Sequence, residues 1–279
     1  MSRQHAQVTI PNTEVRSLSS SIVDQEYQIF VAFPHGYDAS DMAYPVLYLL
    51  DANGFFGLVT ETVSMLQVFQ ELPEMLIVGI GYPAEGFIQT SGIRVRDLTP
   101  TEDRAWLEAM LRLRPGLAAD GSGGAHNFLR FIQEELLPFV HANYRVEPND
   151  SVIAGYSFGG LFSLYALLHA PGTFRRYLIG SPSIWWDPKT VFEYEAQYAR
   201  DHSDLPARVF LSAGSLEESM PQPFRGQPAA FVSNMLSLAT RLQGRGYQGL
   251  DLKTHVFEGE IHASGAPAAM SRGLRAVFG

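Results

Sequence analysis

Two hydrophobic periods alternate along the chain. Apolar runs of strand length occupy residues 26–33 (EYQIFVAF), 45–50 (PVLYLL), 75–82 (MLIVGIGY), 150–154 (DSVIA), 176–181 (RYLIGS), 207–214 (ARVFLSAG) and 250–259 (LDLKTHVFEG). Most are too continuous for a one-sided sheet and suit strands buried on both faces. Between them, apolar residues recur at spacings of three and four. Over residues 125–144, Phe128, Phe131, Ile132, Leu136 and Phe139 fall on one stripe, and residues 161–168, 229–242 and 266–278 read the same way. Strands alternating with helices predict an α/β fold: a mostly parallel central sheet with helices on both faces, the first strands added antiparallel. Residues 83–124 and 183–206 break the alternation and are rich in Gly, Pro and charge. They are expected to be loop insertions near the site, the first a candidate small lid. No repeat or linker interrupts the pattern, so one domain over residues 1–279 is expected.

Composition narrows the chemistry. There is no cysteine, which excludes disulfides, thiolate metal sites and a cysteine nucleophile. A net charge of −9 favours solubility and argues against a nucleic-acid surface. The first twenty residues hold no apolar core of signal-peptide length, and no apolar run reaches the ~20 residues of a membrane helix. A soluble, cytoplasmic protein without a membrane partner is expected.

The segment VIAGYSFGGLFSLYALL, residues 152–168, passes from a strand pattern through Gly-Tyr-Ser-Phe-Gly into a helix pattern. This is the context of a Gly-x-Ser-x-Gly elbow, whose sharp turn lifts a serine out of the sheet and requires small residues around it. Ser157 is therefore the candidate nucleophile. A serine hydroxyl needs a base to take its proton. In this arrangement the acid and then the histidine follow the serine in the chain. Two histidines lie late enough. His255 falls inside a strand pattern and reads as a sheet-face residue, whereas His262 follows that strand among small residues, in EGEIHASGAP, and is preferred. The acid should follow ARVFLSAG, where the chain continues SLEESMPQ. Glu217 is the choice, with its neighbour Glu218 left open. The oxyanion would be held by backbone N–H groups of Phe158, next to the nucleophile, and of Asn53, in the loop after PVLYLL.

With these residues in place the chain resembles the esterase D family of α/β-hydrolases. Its motifs look closest to the branch of ferric-siderophore (trilactone) esterases and related carboxylesterases. The resemblance spans roughly residues 15–279 and rests on VLYLLDANGFF, IVGIGYP, RVRDLTPT, GGAHNFLRFIQEELLPFVHANYRV, the serine elbow, GSPSIWW, LSAGSLEE and EGEIHASGAPAAMSRGLRAVF in that order. It implies an α/β-hydrolase core, no metal or other cofactor, and hydrolysis of a small-molecule ester through an acyl-enzyme. It also implies that arginines of RVRDLTPT (Arg94 or Arg96) and tryptophans of SPSIWW (Trp185 or Trp186) border the substrate. The structural alternatives are an Arg96–Asp97 ion pair that fixes the loop, and tryptophans that simply pack the core. A serine carboxylesterase is the expectation, with a trilactone siderophore esterase, an acetyl or feruloyl ester hydrolase and a non-catalytic ligand-binding protein as its rivals.

Overall fold

The computed structural model describes residues 8–84, 86–113, 121–223 and 225–279. Among them β1 (Thr13–Ser20), β2 (Gln25–Ala32), β3 (Tyr44–Leu49), β4 (Leu76–Gly81), β5 (Val146–Tyr156), β6 (Arg176–Gly180), β7 (Ala207–Gly214) and β8 (Leu250–Phe257) form one sheet in the order β1-β2-β4-β3-β5-β6-β7-β8. β2 runs antiparallel to both β1 and β4, and all other neighbours are parallel. The middle strands β4 and β6 are buried along their whole length, whereas β8, at the edge, is half exposed. That is why β8 alternates and the central strands do not.

Alternate residues of each strand feed two cores. Val46, Tyr48 and Leu50 join Phe128, Phe131 and Phe162 on one face, while Leu47 and Leu49 join Phe56, Val59, Val63, Met270 and Leu274 on the other. The second face is covered by α1 (Ala52–Val68) and α9 (Gly265–Phe278), which lie side by side. On the first face α6 (Phe158–His169) lies flat on β5 and β6 beneath other helices and is buried through Leu168. It is therefore apolar all round rather than striped.

Three parts of the architecture differ from the sequence expectation. The loop after β3 shrinks to Leu50 and Asp51, and a helix begins at Ala52. Its buried positions Ala52, Phe56, Val59 and Val63 keep helical spacing, but Gly54, Gly57 and several β-branched residues mask it. The stretch 83–124 carries two helices among its described residues, α2 (Ser91–Leu98) and α3 (Arg104–Leu113). Residues 85 and 114–120 of that stretch lie outside the described residues. α2 escapes a hydrophobicity reading because its buried face includes Arg94 and Asp97. The stretch 183–206 holds α7 (Val191–Asp201), whose buried face likewise includes a charged residue, Glu195. The amphipathic stretch 125–144 is helical as expected, as α4 (Ala125–Phe131) and α5 (Leu137–Asn143) joined through a π-helical turn, Ile132–Leu136. Pro138, which has no N–H to give, sits just after that turn. The remaining helix, α8 (Phe231–Gly244), packs on β7 and β8. No helix among the described residues is long and apolar enough to cross a membrane.

α9 approaches the sheet closely because of Gly273, where a Cβ would lie 2.6 Å from Leu178 Cγ and 2.9 Å from Phe210 Cδ1. Gly273→Ala gains helix propensity of up to ~1 kcal/mol but overpacks this contact at about 1–3 kcal/mol. The variant should be the less stable protein in urea denaturation. A midpoint at or above that of the parent would contradict the packing argument.

Candidate active site

β5 ends at Tyr156 and α6 begins at Phe158, so a single residue makes the turn. That residue, Ser157, sits at φ 62° and ψ −117°, a backbone conformation that costs about 1–3 kcal/mol. Its surroundings enforce the turn. Ser157 N–H donates to Gly180 O at 3.0 Å, and its carbonyl accepts from the N–H of Leu161 at 3.0 Å and of Ser183 at 3.1 Å. A Cβ on Gly155 would lie 2.2 Å from Gly159 O, and one on Gly160 would lie 2.7 Å from Gly180 O. Backbone meets backbone here, so no larger residue fits without moving the strand or the helix. The nearest hydrogen-bonding neighbour of Ser157 Oγ is Ser183 Oγ, at 3.4 Å.

Glu217 follows β7 on a single 3-10 turn, Ser215–Glu217, and is fully buried. His262, in the connection from β8 to α9, places Nδ1 2.6 Å from Glu217 Oε1. Oε2 accepts from Ser181 Oγ at 2.7 Å and from the Gly214 N–H at 2.9 Å. The Tyr156 hydroxyl reaches Oε1 at 3.3 Å. Burial alone would raise the carboxyl's pKa, but the hydrogen bond and charge of His262, with the Ser181 and Gly214 donors, outweigh it and hold it below the ordinary carboxylate value. With Nδ1–H given to Glu217, Nε2 is the ring's remaining acceptor. The ring is held between aromatic neighbours, its centroid 5.1 Å from that of Tyr156 and 5.0 Å from that of Phe231. Glu218 is engaged elsewhere. It accepts from Ser233 N–H at 2.9 Å and from the Ser233 hydroxyl, in the first turn of α8, where amides lack helical partners. His255 stands on β8 against Phe257, as a sheet-face residue would.

Ser157 and His262 line one cavity of about 430 Å³. Phe55, Phe87, Phe158, Trp185 and Phe231 make its walls predominantly aromatic, and Ser183 also faces it. Of the arginines expected at the substrate, Arg94 lines the cavity and Arg96 does not. Arg94 is committed to Asp51 through a bidentate pair, Nε to Oδ1 at 2.7 Å and Nη2 to Oδ2 at 2.6 Å. Its guanidinium lies 5.0 Å from the Phe87 ring and 5.4 Å from the Phe158 ring. Arg96 pairs with the buried Asp97, the loop-fixing alternative. The tryptophans divide in the same way. Trp185 lines the cavity, whereas Trp186 lies behind it with its Nε1–H on Thr101 and its ring edge-on to Phe158 and Trp106. Phe158 and Asn53 both sit in first helical turns, where amides have no partner within the helix. The Asn53 side chain is occupied in tying α1 to the residues after β4, donating to Tyr82 O and Ala84 O and accepting from Tyr82 N–H.

Sequence reasoning passed over Asp51, Tyr156, Ser181 and Ser183. The last two lie in the GSPSIWW motif just after β6 ends at Gly180, and the carboxyl ends of parallel strands are where ligands bind on such sheets. That was the available signal.

The model of the family described as "Putative esterase" matches residues 19–265. The ferri-bacillibactin esterase BesA of Bacillus subtilis is 36% identical over 275 residues, covering 96% of this chain and 90% of the relative. The siderophore triacetylfusarinine C esterase of Aspergillus fumigatus is 29% identical, with 97% and 94% covered. Among solved structures, the BES protein from Bacillus cereus superposes with a TM-score of 0.81 at 32% identity, over 100% of this chain and 99% of that one. The sheet order and these likenesses make the fold that of an α/β-hydrolase.

The two adjacent glutamates are separable by experiment. Glu218→Ala should cost about 1 kcal/mol of stability through the lost helix-end contact and leave ester turnover within a few-fold of the parent. Glu217→Gln should lower turnover by at least about 100-fold. Because Glu217 is held below its ordinary value of 4.5, the stability it contributes is present above pH 4.5 and lost as pH falls through the lower folded value. The stability gap between parent and Glu217→Gln, read by thermal melts, should therefore close on acidification. A gap that widens toward low pH would refute this assignment.

Proposed function

The chain belongs to the esterase family and is a serine hydrolase of carboxylic esters, and from that premise we propose that Ser157, His262 and Glu217 are its catalytic residues and siderophore esters its substrates. Ser157 Oγ attacks the ester carbonyl while His262 Nε2 takes its proton. The C–O bond to the leaving alcohol then breaks as His262 returns that proton to the alcohol oxygen. Glu217 holds the ring in the required tautomer and offsets its transient charge. The N–H groups of Phe158 and Asn53 stabilise the tetrahedral oxyanion. Water, deprotonated by His262, then attacks the acyl-Ser157 carbonyl and frees the acid, and the proton passes back to Ser157.

One observation carries the reading. A strained, backbone-enforced serine after β5 and an imidazole after β8, bonded to a buried carboxylate, face one cavity. Proton transfer requires a hydrogen bond between Oγ and the imidazole, and catalytic hydrogen bonds commonly form fully only once substrate is bound. The substrate assignment is supported by two relatives that cover nearly the whole chain and are siderophore esterases. The aromatic walls suit an aryl or other flat acyl arm.

Ser157→Ala should lower kcat on p-nitrophenyl butyrate and on a tris-catecholate trilactone by ~10⁴-fold or more. A p-nitrophenyl phosphonate should add one covalent label, seen by intact-protein mass spectrometry, to the parent and none to Ser157→Ala. Equal turnover by parent and alanine variant would end the proposal.

A further inference from the structure

The cavity that Ser157 and His262 face has few polar side chains in its lining, and most of them are committed elsewhere. Arg94 is held by Asp51, the Tyr156 hydroxyl by Ser181 and Glu217, and the Trp185 indole N–H is itself buried. Besides the serine and the imidazole, this leaves Ser183. That residue is only 1% exposed, and the hydrogen-bonding partner of its hydroxyl among the described residues is Ser157 Oγ, the reacting atom itself, at 3.4 Å.

The backbone holds that hydroxyl in place. Ser183 N–H donates to the Ser157 carbonyl at 3.1 Å, and the Ser183 carbonyl accepts from Trp186 N–H at 3.0 Å. One residue earlier, Pro182 fits against the elbow, its Cα 3.0 Å from where a Cβ on Gly160 would stand. Ser181 before it takes a positive φ of 37°, rare for a residue with a side chain. A residue that precedes proline is normally extended, so packing enforces this turn, and the turn delivers Ser183 beside the nucleophile. The direction of the bond follows from the chemistry. To be activated, Ser157 must donate its proton to His262 Nε2, which leaves its Oγ to accept and Ser183 to donate.

Resting on the catalytic assignment above, we propose that Ser183 is a further catalytic residue, whose hydroxyl supports departure of the Ser157 oxygen from the acyl-enzyme. In the acyl-enzyme Oγ is the alkoxy oxygen of an ester, a poor acceptor because its lone pair is delocalised into the carbonyl. When water attacks, its proton passes to His262 and the carbonyl carbon becomes tetrahedral, so that delocalisation is lost. As the C–Oγ bond then breaks, its electron pair stays on Oγ and His262 returns the proton there. The Ser183 O–H donates to Oγ throughout and transfers nothing. Its bond is therefore weak in the ground state and strong in the transition state, which is the condition for acceleration. Acylation gains less, because the oxygen of a free hydroxyl already accepts. The resting separation of 3.4 Å leaves room to shorten, toward the roughly 2.7–2.8 Å of a good O–H···O bond.

p-Nitrophenyl butyrate separates the two steps. Release of p-nitrophenol in the burst reports acylation, and decay of the acyl-enzyme, followed by intact-protein mass spectrometry, reports deacylation. Ser183→Ala should slow deacylation by about five- to tenfold and acylation by less than about threefold. In the steady state kcat and KM should then fall together, leaving kcat/KM within about threefold of the parent. A substitution that merely misplaced Ser157 would slow the burst and lower kcat/KM instead. Ser183→Cys, of nearly the same size but with a weak S–H donor, should show the same split. Deacylation within about twofold of the parent in either variant, or a loss carried by acylation, overturns the proposal. The catalytic assignment itself fails by a different result, turnover that persists in Ser157→Ala.

Discussion

A carboxylate taken out of water must be given hydrogen bonds or it will take up a proton. Glu217 imposes that demand on the functional end of the sheet. It has no exposed surface, and its donors come from separate places in the chain: the end of β5 (Tyr156), the residue after β6 (Ser181), the last residue of β7 (Gly214) and the connection after β8 (His262). One buried charge thus fixes the relative positions of neighbouring strand ends and of the imidazole. Removing a donor would leave part of that charge unsatisfied, whereas the intact set converts a burial penalty into positional constraint. The histidine's orientation follows from where the carboxylate had to be satisfied.

A second buried pair does comparable work on the other side of Ser157. Asp51, in a left-handed backbone conformation before α1, receives both arms of Arg94 from α2. Burial would lower the arginine's pKa, but Asp51 more than compensates and holds it above the ordinary guanidinium value. Both partners are almost wholly out of solvent, and loss of one would strand the other's charge. The pair therefore joins α2, which follows the residues after β4, to the turn that launches α1. Because the guanidinium is spent on Asp51 and stacked near Phe87 and Phe158, it acts as a wall of the cavity. A free cationic hook it is not.

Legibility in the sequence followed burial of apolar residues. The central strands and the helix after the serine carry uninterrupted apolar signals, and the elbow glycines sit where backbone contact permits nothing larger. α2 and α7 were illegible because their buried faces contain Arg94, Asp97 and Glu195, residues that hydrophobic periodicity assigns to solvent. The same blindness hid Asp51 and Ser181, whose importance comes from partners 43 and 36 residues away. Glu217 and Glu218 are adjacent in sequence, and hydrophobic pattern does not separate them. In space one is wholly buried against His262 and the other holds the first turn of α8. Sequence spacing can nominate a carboxylate, but only packing decides which of two neighbours is taken out of water.

Net charge is a poor guide to what such a cavity accepts. At physiological ionic strength an exposed charge is felt over about 8 Å, so the carboxylates responsible for the −9 total act weakly on a ligand already inside. Groups within a few ångströms, surrounded by low-dielectric aromatic walls, are screened much less. The described lining of the cavity is predominantly aromatic with one arginine, and the buried carboxylates Asp51 and Glu217 are held respectively by the Arg94 guanidinium and by hydrogen bonds with His262, Ser181 and Gly214. An acidic exterior is thus compatible with a cavity in whose described lining no carboxylate stands. The two properties are set by different residues at different distances.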